Sequence, residues 1–131
     1  MFRRFVSASA IASIGIACGA LVIVLTHGLA VPWFYPLPTV WCFAPLVWGL
    51  WAMIAPSSWV PHRLSLWGAF LGLIAGLLLA FVLNLPWRVF GVTVPVIVRG
   101  VAVVVMVAFY YLLWMLVRFA YRSLGAPTSA A

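Results

Sequence analysis

A chain of 131 residues that is 69% hydrophobic and 5% charged cannot cover itself with a water-soluble surface. Its formal charge of +7 is carried by arginine alone, because the sequence holds no Asp, Glu or Lys. With a mean hydropathy of +1.32, these figures exclude a soluble globular enzyme and a disordered chain, and they place the polypeptide in a bilayer.

The first apolar stretch is Phe5–Thr26, preceded by Arg3 and Arg4 and followed by His27-Gly28. A basic start before an apolar run resembles a secretory signal, but the run continues past Cys18 to Leu25, too long for a signal core. It reads as a membrane span. Its small residues Ala8, Ala12, Gly15 and Gly19 are expected to face another helix, the third stretch being the candidate. The first connection, Gly28–Pro38, sets Trp33, Phe34 and Tyr35 among three prolines. A loop this apolar is expected in the outer interface or under a partner, with Trp33 and Tyr35 in contact with lipid or protein.

The second stretch, residues 39–55, is at the lower limit for a span. Pro45 is expected to kink it about one turn from its start. Trp41 and Trp48, at helical spacing on one face, are candidate contacts for a hydrophobic substrate.

The third stretch, residues 64–85, ends at Pro86 and has the sharpest pattern of the chain. Gly68, Gly72, Gly76 and Ala80 recur every fourth residue and form one smooth stripe, suited to close approach of a helix of this chain, a second copy or a partner. Trp67, in its first turn, and Trp87, just beyond its end, are 20 positions apart and fit the aromatic belts at the two interfaces. Asn84, the sole Asn, is a candidate cap or substrate contact at its end. The fourth stretch, residues 95–117, contains an uncharged run bracketed by Arg99 and Arg118, and a frayed tail is expected from residue 123.

The fold class is therefore all-α: a single small bundle of four transmembrane helices. Four crossings put Arg3, Arg4, Arg63, Arg118 and Arg122 on one side and Arg88 and Arg99 on the other. Loop charge then places both termini in the cytoplasm. Abundant Ala, Gly, Arg, Val and Pro with no Lys points to a GC-rich bacterial genome, and the expected location is a bacterial cytoplasmic membrane.

The residues that are missing limit the chemistry. Without side-chain carboxylates there is no proton relay, cation coupling or acid–base pair of the usual kind. His27 and His62 fall at opposite ends of the spans and cannot ligate one iron. Cys18 and Cys42 lie in apolar runs and read as small apolar residues. No catalytic residue, metal or cofactor is expected, and no nucleic acid, since no solvated basic face exists to hold it. The seven arginines must find lipid phosphates, backbone carbonyls, the terminal carboxylate or carboxylates of another chain; Arg88, Arg99, Arg118 and Arg122 are the candidate contacts, and Arg99, nearest the apolar interior, has the most to gain. The expected function is a non-catalytic integral subunit that packs into a larger membrane complex or a homo-oligomer. The alternative is a transport component for a lipidic, neutral or anionic substrate, with Arg88, Arg99 and Asn84 at one mouth.

Overall fold

The computed structural model describes residues 1–27, 41–84, 87–88 and 91–124, and all of its regular structure there is helical. Helix α1 is Phe2–His27, α2 is Ala44–Met53, α3 is Leu64–Leu77 and α4 is Val96–Ser123. A 3₁₀ turn, Ser57–Trp59, follows α2, and α3 continues into a π-helical segment, Leu78–Val82. Three helices are long and apolar enough to cross a membrane: α1, α3 with its π extension, and α4. Helices suit such apolar sequence because they satisfy their own backbone groups where no water is at hand.

The second stretch forms less helix than its composition promises. Trp41 is helical, but the chain turns at Cys42 and Phe43 before α2 begins. Ten residues rise about 15 Å, half of a hydrocarbon core. Pro45 is the reason for the late start. It stands in the first turn of α2, where its missing N–H has no helical partner to lose, so it opens a helix instead of kinking one.

Short as α2 is, residues 41–55 run back along α1. Trp41 Cη2 lies 3.9 Å from where a Cβ on Gly19 would be. The Ser9 hydroxyl donates to the Pro45 carbonyl at 2.8 Å, and Arg4 Nη1 donates to the Ala55 carbonyl at 3.0 Å. The partners step from Gly19 through Ser9 to Arg4, so the two segments are antiparallel. The chain then leaves for α3 from the end where α1 began. At that end Arg118 Nη1 donates to the His62 carbonyl at 3.1 Å, and the Arg3 guanidinium sits 4.0 Å above the Tyr121 ring. We call this the arginine end; Arg3, Arg4, Arg63, Arg118 and Arg122 gather there. The C-terminal ends of α1 and of the π segment, and the start of α4, form the far end.

The most extensive packing joins α3 to α4, followed by α1 to α2, with α1 also touching α4. The small residues of α1 thus serve mainly α2 and not the third stretch, a correction to the sequence reading. The buried core, including Ala8, Ala12, Trp48, Ala52, Leu64, Leu71, Trp114 and Val117, lies in the half of the bundle that α2 covers.

Helix boundaries differ from expectation at both ends of the chain. α1 begins at Phe2 and closes at His27. α4 runs to Ser123 rather than 117, because Arg118–Ser123 contains no helix breaker and its arginines favour the carbonyl-rich terminus. Of the tail, Ser123 still bonds the Ala120 carbonyl, and residues 125–131 lie outside the described residues. The third stretch does not stay α-helical to 85. It widens to a π-helix at Leu78 and stops at Asn84, whose φ of 45° is left-handed. Pro86 follows closely and disfavours continuation of the helix through its preceding residue.

Candidate functional site

The glycine stripe is a seam within the chain. A Cβ on Gly68 would collide with the Trp114 side chain. On Gly72 it would stand 2.7 Å from Tyr110 Cβ and 3.1 Å from the Met106 carbonyl, and on Gly76 3.3 Å from Val103 Cγ1. The three glycines let α4 lie directly on α3, where close contact supplies the attraction that lipid cannot. Ala80 continues the line; its carbonyl accepts from Arg99 Nη1 at 3.4 Å. The stripe is therefore occupied by α4. Gly19 faces Trp41, whereas a Cβ on the exposed Gly15 would meet nothing within 4 Å.

A tryptophan cluster ties α2 to the α3–α4 pair. Trp51 and Trp67 stack with centroids 4.8 Å apart and planes 16° from parallel. Trp51 Nε1 donates to the Trp67 carbonyl at 3.0 Å, and Trp67 Nε1 donates to the Trp51 carbonyl at 2.9 Å. Trp51 is in the last turn of α2, where carbonyls lack an onward helical donor, so the indole of Trp67 acts as a cap. Trp67 is thus a clasp rather than a free belt residue; Trp87 is exposed. Trp48 is buried against Tyr110 at 5.1 Å and Trp114 at 5.6 Å. Trp41 turns instead to α1, so Trp41 and Trp48 do not form one ligand-binding face. The turn at residues 42–43 separates them.

The far end is polar in a different way. Half-buried Arg99 donates from Nε to the Val94 carbonyl at 2.9 Å as well as to Ala80. The sequence singles out Arg99 as most in need of an outside anion, yet two backbone carbonyls already engage it. One turn beyond Ala80, Asn84 Oδ1 is buried with no hydrogen-bond partner, while the Asn84 carbonyl accepts from the Arg88 N–H at 3.1 Å. Ala80, Asn84, Arg88 and Arg99 therefore do share one end. The π segment there is the feature sequence reasoning missed: no periodicity marks it, although the Asn84–Pro86 break is its nearest signal.

At the arginine end, Arg118 holds the His62 carbonyl, and Arg63 and Arg122 are exposed. Trp33 and Tyr35 lie outside the described residues. Among the described residues no three His, Cys, Asp or Glu gather as a metal site. An open apolar groove of about 530 Å³ runs over the α3–α4 face between Trp59 and Leu73. Comparison with protein-family models, curated proteins and solved structures finds no match.

Proposed function

We propose that the chain is a non-catalytic integral membrane subunit of a larger complex or a homo-oligomer. It would cross the bilayer four times, residues 39–55 forming a short second pass, with both termini in the cytoplasm of a bacterial cell. The observation that carries this reading is charge without counter-charge: seven arginines, no Asp or Glu, and partners that among the described residues are carbonyls and one ring. The remaining donors must be met from outside, by lipid phosphates or carboxylates of other chains. The open face of α1 is the proposed protein contact. Only 11% of its most apolar window is buried, and Gly15 there has room for a close neighbour between exposed Ile14 and Cys18.

Purification from native membranes in mild detergent tests the proposal. Assemblies heavier than the 14.3 kDa chain are expected, and Gly15→Ile should shed them while leaving the chain folded. A bare monomer that recruits no other chain contradicts it.

One observation favours transport of an anionic or lipidic substrate as a second reading: Asn84, Arg88 and Arg99 lie at one end beside a π-helical turn. Against it, Met106, Tyr110 and Trp114 fill the seam towards the other end. Flux of such a substrate in liposomes, lost in Arg99→Ala, would establish it over the first.

A further inference from the structure

Near the end of α4, Arg118 and Arg122 join Met115, Leu116 and Phe119 along an open groove of about 330 Å³ on the helix surface. Its lining changes character along the helix. Met115 and Leu116 lie towards the middle of the span, Phe119 follows, and the two guanidiniums lie towards the arginine end. Residues 115–122 rise only about 10 Å, so an apolar wall adjoins a doubly cationic one.

Arg118 gives one donor to the His62 carbonyl, which orients its planar fork without exhausting its five N–H groups. Arg122, one turn on, is exposed. No side chain in the chain can neutralise either, since it holds no Asp or Glu. The carbonyl-rich terminus of α4 opposes an anion with about half a negative charge, against two full positive charges. Arg3, Arg4 and Arg63 at the same end add to the attraction.

We propose that this groove binds one anionic phospholipid, its phosphate held between Arg118 and Arg122 and an acyl chain laid over Phe119, Leu116 and Met115. Guanidinium matches phosphate in fork geometry, and the neighbouring apolar wall at hydrocarbon depth selects an amphiphile over a soluble anion or a protein carboxylate. The inference rests on the membrane reading but not on assembly, because a monomer would bind the lipid equally.

The test is native mass spectrometry of the full chain in detergent, titrated with phosphatidylglycerol or phosphatidylcholine. Phosphatidylglycerol adducts should dominate. Arg122→Gln, whose guanidinium makes no hydrogen bond among the described residues, should weaken them about fivefold and Arg118→Gln/Arg122→Gln about thirtyfold. Arg88→Gln at the far end should leave them unchanged, and Arg122→Lys should restore part of the Gln loss. Equal binding of phosphatidylcholine, full binding by the double variant, or displacement by inorganic phosphate overturns the proposal. So does a double variant that keeps its lipid but loses a protein partner. A chain that stays dispersed without detergent would instead defeat the membrane reading itself.

Discussion

Glycines at identical spacing do different work because of what stands opposite them. Gly68 meets the fully buried Trp114, so any larger residue there must displace an indole with nowhere to go. Gly68→Leu is expected to destabilise by about 3 kcal/mol or more, at the upper end of overpacking costs. Gly15→Ala adds a methyl to open space in a helix interior and should leave stability unchanged or raise it by up to about 1 kcal/mol. Reversible unfolding in mixed micelles measures both, and equal effects would show that the seam is not closed as described. The four-residue repeat was legible in the sequence because close helix approach demands small side chains. Its partner was not, because any apolar helix can fill such a groove. Trp114 on α4 fills it, and nothing local to Trp114 announces that.

Element ends are where this chain uses its few polar groups. Arg4 and Trp67 satisfy carbonyls at the end of α2, and Arg99 satisfies Val94 and Ala80 between α4 and the π segment. Trp51→Phe and Trp67→Phe each remove one indole donor of the clasp. Each single variant should cost about 1 kcal/mol, since it leaves a backbone carbonyl without its indole donor, and a Trp51→Leu/Trp67→Leu cycle should return a favourable coupling of about 1 kcal/mol from the stacked rings. A coupling near zero would mean that α2 is held by burial alone. Arg99→Leu should raise amide exchange in Leu78–Val82 and in the first turn of α4 while sparing α1, because only those segments lose a cap. Protection unchanged in both segments would count against Arg99 as their link. The helices themselves were readable from hydropathy and length. Their irregular ends were less so: Pro45 marks a discontinuity in sequence, but whether it kinks a helix or opens one depends on the turn before it. The π-helical widening likewise leaves no mark in the hydrophobic pattern.

At the scale of the molecule, two antiparallel pairs, α1 with residues 41–55 and α3 with α4, bring the N-terminus, the connection after α2 and the end of α4 to one side. Charge counting along the sequence anticipates that gathering of five arginines, even though α2 alone is too short to span. What the sequence left open was the pairing, since several arrangements satisfy the same charge asymmetry. Everything proposed for the chain depends on this sidedness, which cysteine accessibility reads out. In a Cys18→Ser/Cys42→Ser background, Ser57→Cys, Ser123→Cys and Val92→Cys would each be probed in intact cells and in inverted vesicles with a membrane-impermeant thiol reagent. Positions 57 and 123 should react only in inverted vesicles and position 92 only in intact cells. Reaction of 57 from the face opposite 123 would contradict it.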